Sequence, residues 1–119
     1  MTEPSEKAFE VFKIISLDIM GRLDRIRMDT GSFSGFSQMN KHPDFLHIVE
    51  MGPRVIPFLI HAMTERGASW SHLMLLLVIS GENPVPPEHA GKFISQIADW
   101  LIWYESSPYS DHDIYFGLV

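Results

Sequence analysis

A chain of 119 residues, 45% apolar and 20% charged, has the length of one domain and the make-up of a globular protein rather than a disordered one. It contains no cysteine, which excludes disulfides, thiolate zinc sites and thiol nucleophiles together. The net charge is −6, and from Glu82 onward the acids Glu88, Asp99, Glu105, Asp111 and Asp113 are opposed by Lys92 alone, so nucleic acid is not an expected partner.

The opening residues, Met1 to Glu6, carry acids where a secretory leader carries bases, so no leader is expected. Ser5, followed by Glu6 and Glu10, begins a long helix over 5–29, because serine caps and acids suit the first turn. Phe12, Ile15, Ile19, Leu23 and Ile26 step by three or four and form its buried stripe. Val11, Ile14, Leu17 and Met20 widen that stripe, which predicts cover on more than one side. Arg22, Arg25 and Arg27 read as a solvated face paired with Asp18, Asp24 and Asp29.

A flexible loop is expected over 30–41, where Gly31 to Ser37 stops the helix and displays Phe33 and Phe36. His42-Pro43-Asp44 opens the next helix, with Phe45, Ile48 and Val49 facing inward. Gly52 turns the chain and Pro53 begins a third helix, whose stripe is Val55, Ile56, Leu59, Ile60 and Met63. Phe58 points away from that stripe. Ser69 caps a fourth helix, Trp70 to Ser80, which is apolar nearly all round, the most buried element, with His72 at its exposed edge. Its seven-residue apolar run, Leu73 to Ile79, falls short of the roughly 20 residues a bilayer crossing requires, so no membrane partner is expected.

Gly81-Glu82-Asn83-Pro84-Val85-Pro86-Pro87 follows as an extended connector, since proline excludes both helix and ladder pairing. A fifth helix starts near Glu88 with Ala90, Phe93, Ile94, Ile97, Ala98, Leu101 and Tyr104 inward, Trp100 at the margin and Trp103 outward. A tail over 107–119 shows no period and is either a docked extension or a disordered end. The fold class expected is all-α, one domain over 1–119 of about five helices, with its helical core in 42–106.

The phrase His42 to Met63 resembles a HEAT-type helix pair: an apolar helix, a glycine turn, then Val55-Ile56-Pro57-Phe58-Leu59. More widely, His42-Pro43-Asp44-Phe45, Gly52 to Pro57, Trp70, Gly81 to Pro86 and Trp100 to Trp103 resemble an uncharacterised family of small bacterial proteins. This resemblance covers about half of the chain and implies a fold but no activity. Ile79-Ser80 stands where the family pattern has Ile-Thr. A lone repeat cannot bury both its faces, so the first and last helices are expected to cap it.

The catalytic motifs are missing. Gly31-Ser32-Phe33-Ser34-Gly35 has the letters of a serine elbow without the strand that precedes one, and no phosphate-binding glycine loop occurs. His47 with Glu50, and His61 with Glu65, share helix faces but do not make the three or four convergent ligands a metal needs. No cofactor or metal is therefore expected, and no enzymatic activity. The leading expectation is a cytoplasmic protein–protein interaction module, in the manner of a small acidic inhibitor, immunity protein or antitoxin. Its candidate partner-binding residues are Phe33, Phe36, Phe58, Pro84, Val85, Pro86, Asp99, Trp103 and Glu105. Two alternatives stand beside it: a homodimer, and a ligand-binding or enzymatic domain with a pocket between the first and last helices, using His42, Glu50 or His72.

Overall fold

The computed structural model describes residues 6–30 and 36–110, with side chains there except at positions 8, 9, 36 and 37. Phe33 and residues 111–119 lie outside the described residues, as does the side chain of Phe36. The described residues are all-α: α1 (Glu6–Thr30), α2 (Phe36–Met39), α3 (Pro43–Met51), α4 (Ile56–Arg66), α5 (Trp70–Ser80) and α6 (Phe93–Glu105), with short 3-10 turns at Gly52–Val55, Pro87–His89 and Pro108–Ser110. No strand occurs among them.

The 25 residues of α1 span roughly 37 Å at 1.5 Å per residue, and the other long helices pack around this strut. α1 touches α3, α4 and α5, so it is a central element rather than an end cap. Its stripe is as the spacing predicts, with Ile19, Leu23 and Ile26 buried and Phe12 and Ile15 packed against the core. The wider stripe is a correction. Met20 is buried, but Ile14 is 64% and Leu17 60% exposed, because among the described residues no other element covers that side of α1.

α3 begins on a cap built from the His42-Pro43-Asp44 sequence. The His42 Nδ1 accepts the Asp44 N–H at 3.0 Å while Nε2 lies 2.7 Å from Asp29 on α1. Pro43 fills a first-turn position that needs no N–H. Gly52 has φ +77° and ψ −167°, a region reached cheaply by glycine alone. A 3-10 turn then carries Pro53, and α4 starts at Ile56 rather than at Pro53. The turn redirects the chain so that α3 packs on α1 and α5, and α4 does the same.

α4 buries more of its surface than the sequence suggests. Besides the expected stripe, Phe58 is 3% and Ala62 1% exposed. α5 is buried through Leu73, Leu75 and Leu76, yet Leu77 and Val78 at its far end are exposed. Its C-terminus is closed by Gly81 at φ +71°, in the left-handed helical region.

The phase of α6 is the largest correction. Trp100, expected at the margin, is 1% exposed and is the largest fully buried side chain. Ile94, expected inside, is 76% exposed, and Ala98 is exposed with it. Two apolar stripes run along this helix, and the broad indole side chain wins the core because it removes the most apolar area from water. The helix also starts five residues later than expected, since Gly91 at φ +74° interrupts the run from Glu88. The loop expected over 30–41 is partly helical, with α2 placing Met39 in the core. At the other end the 3-10 turn brings Tyr109 against Trp103, ring centres 6.2 Å apart.

Candidate functional site

Of the residues singled out for partner binding, Phe58 is a correction: it is in the core, its ring stacked on Phe12 at 4.9 Å. The sequence shows it between Arg54 and Glu65, but α1 crosses that side of α4 and covers it. Asp99 is not an open rim charge either. Its carboxylate lies 2.6 Å from the His89 Nδ1, and its side chain is 15% exposed. Trp103 is half-buried, edge-on to Trp100 at 5.1 Å, and donates its N–H to Glu82 at 3.3 Å, so only part of its ring faces outward. Glu105 is exposed.

Pro84, Val85 and Pro86 are partly buried, with Val85 packed on the core. The Asn83 Oδ1 accepts the Val85 N–H at 3.1 Å, and the Ser80 Oγ accepts the Glu82 N–H at 3.0 Å. These side-chain turns make the segment a fixed connector clamped to the fold rather than a projecting ridge.

The arginine run divides its work. Arg22 bonds Asp18 at 3.0 Å and Asp44 at 2.9 Å, whereas Arg25 reaches only Asp44, at 2.9 and 3.1 Å. Asp44 is thus a buried carboxylate held by two guanidiniums, and the hydrogen bond from Arg25 draws its pKa below the usual value. This cluster ties α1 to α3 and has no oxygen left for chemistry. Among the described residues, no three His, Asp or Glu side chains converge as a metal site. His61 lies edge-on to Phe12, and His47 and Glu50 are exposed.

Besides the exposed Ile14 and Leu17 of α1, two surfaces stand out. One is the outer side of α6, where Ile94, Ala98 and Ile102 follow each other at i, i+4 spacing, Ile102 66% exposed. The other is a groove of two adjoining cavities where the end of α1, the end of α4 and the start of α5 meet, with α2 and α6 each adding one residue to the larger. Its smaller lobe, about 70 Å³, is lined by Met20, Leu23, Asp24, Arg27, Ala62, Arg66, Gly67, Ser69 and His72. The larger, about 270 Å³, is lined by Thr30, Met39, Ala68, Trp70, Ser71 and Phe93. Arg27 and Ser69 border both. Of the three residues expected in an inter-helix pocket, only His72 lies here. It is also a correction, being 6% exposed rather than on an open edge.

The cause is local. His72 is the third residue of α5, and its Nδ1 accepts the N–H of the capping residue Ser69 at 3.0 Å, which turns the ring back over the helix start. Burial drives its pKa down to about 4, so the ring is neutral near neutral pH. Arg27 works in the same direction and Asp24 against it, since both lie near the ring. The spacing Ser69-x-x-His72 carried this signal in the sequence, as a histidine version of the capping box. Nothing in the sequence places Arg66 beside Asp24, because 42 residues part them; their side chains meet at 3.2 Å.

Among the described residues no helix is long and apolar enough to cross a membrane. No protein-family model, no curated protein and no solved structure gives a significant match to this chain, so its fold and surfaces stand on their own geometry.

Proposed function

We propose that this chain is a non-enzymatic protein-interaction module that docks a protein partner on the outer face of α6. One observation carries the reading: α6 is apolar on both sides, and the outer side leaves Ile94 76% and Ile102 66% exposed with Ala98, also exposed, between them. Isolated exposed apolar residues are ordinary, but a continuous helical stripe of them is a surface that association would cover. Glu105 at the end of the stripe and a net charge of −6 favour a partner whose rim is basic. That charge preference supports an inhibitor, immunity or antitoxin role over a general scaffold. On this reading the chain works in a bacterial cytoplasm, in keeping with its lack of cysteine and with helix-start, glycine-turn and Gly81-to-Pro86 phrases that resemble those of small bacterial proteins.

The test compares affinity capture from host extract by the natural chain and by the Ile94→Asp, Ile102→Asp double variant. Both positions are exposed, so the variant should unfold within about 0.5 kcal/mol of the natural chain. The reading expects one protein retained by the natural chain and lost with the variant. Equal retention by both removes α6 as the docking face. Sedimentation of the purified chain addresses the rival reading: a dimer that the double variant converts to monomer makes a second copy the occupant.

A further inference from the structure

The groove between α1 and the start of α5 combines features that an acidic chain does not lead one to expect. Arg27 and Arg66 bring two guanidiniums to its smaller lobe, and Asp24 offsets only one of them, at 3.8 and 3.2 Å. His72 adds a donor of defined geometry. A backbone N–H can only donate, so the Nδ1 that accepts from Ser69 is unprotonated and the neutral ring carries its proton on Nε2.

That Nε2–H has no hydrogen-bond partner among the described residues. Nor is any side-chain nitrogen or oxygen among them both unpartnered and sealed from the surface. His72, a residue 94% removed from solvent, lines the smaller lobe, so its Nε2–H is a donor left open to a ligand there.

The size and charge of the lobe define that acceptor. One net positive charge matches a group carrying a single negative charge, and a dianion would meet Asp24. About 70 Å³ has room for one carboxylate. The adjoining lobe of about 270 Å³ is walled by Met39, Trp70 and Phe93, the two rings 4.8 Å apart, so whatever bears the carboxylate has an apolar body.

We propose that the groove binds a small monocarboxylic acid, its carboxylate held by Arg27, Arg66 and the His72 Nε2–H, its hydrocarbon or ring lying against Trp70 and Phe93. This site is separate from the outer face of α6, and either can fail without the other.

The experiment uses the isotope-labelled full chain, with magnetic-resonance detection of the imidazole nitrogens and the indole N–H groups. Octanoate and phenylacetate are titrated against acetate and inorganic phosphate. His72→Gln assigns the imidazole signal. The proposal expects the His72 Nε2–H to move saturably, and octanoate and phenylacetate to bind about tenfold or more tighter than acetate. Arg66→Gln, at a guanidinium 53% exposed, should weaken both acids by about tenfold or more while circular dichroism stays unchanged. Arg27→Gln serves the same purpose if Arg66→Gln does not fold. An unmoved His72 signal overturns the proposal. So does phosphate binding as tightly as the apolar acids, or binding that neither arginine substitution weakens.

Discussion

The state of His72 can be tested by changing one atom set and one variable. In the folded chain its pKa lies at about 4, against 6.5 for an exposed imidazole, with burial as the main cause. Between those two values the unfolded chain takes up a proton that the folded chain refuses, so acidification favours unfolding. The stability contributed by neutral His72 is complete above pH 6.5 and is lost as pH falls toward 4. A displacement of 2.5 units, at 1.36 kcal/mol each, amounts to about 3 kcal/mol, a large part of the 5–15 kcal/mol that typically holds a small domain together. His72→Gln removes the titration but keeps an acceptor for the Ser69 N–H, because glutamine is a natural partner at that position of a capping box. The assay is urea unfolding of both proteins at intervals from neutral pH down to pH 4. Groups common to the two proteins cancel in the difference. The natural chain should lose about 3 kcal/mol more than His72→Gln across that window. Parallel stability curves would refute the buried, neutral imidazole and, with it, the tautomer assigned to the ring.

Three further substitutions probe the frame of the fold. Asp44→Asn, measured by urea unfolding near neutral pH, should cost about 2 kcal/mol, since it weakens three charge-assisted hydrogen bonds from Arg22 and Arg25. Because the folded-state pKa of Asp44 is lowered, the difference between Asp44→Asn and the natural chain should persist above pH 3.8 and vanish as pH falls below it. Phe58→Ala should cost about 3–5 kcal/mol by the same measurement; a loss under about 0.5 kcal/mol would restore Phe58 as an exposed anchor. Gly81→Ala should lower stability by about 1 kcal/mol through backbone strain alone, because φ is +71° and a methyl group there meets no neighbour.

Much of this architecture is legible in the sequence, and the parts that are not share a physical reason. The α1 stripe, the His42-Pro43-Asp44 start, the Trp70–Ser80 helix and the glycine at its end all depend on residues within a turn or two of each other. Such signals survive in a linear reading. Failures come where one of two equal local choices is settled by a distant neighbour. α6 offers Phe93, Ile97, Trp100, Leu101 and Tyr104 on one side and Ile94, Ala98 and Ile102 on the other, and packing on α5 decides between them. Phe58 looks like an outward residue until α1 crosses it and Phe12 stacks on its ring. The Arg25–Asp44 bond spans 19 positions and the Arg66–Asp24 pair 42, beyond the reach of any periodicity. For the same reason the groove, gathered from five helices, leaves no contiguous motif. His72 alone had a local signature, its three-residue spacing from Ser69.

The central claim is that association happens on the outer face of α6. A photo-crosslinking side chain placed singly at positions 94, 102, 47 and 50, all exposed, tests it in the intact chain within its host. The account predicts covalent adducts from 94 and 102 and none from 47 or 50 on α3. Adducts formed from 47 or 50 while 94 and 102 stay silent would contradict it.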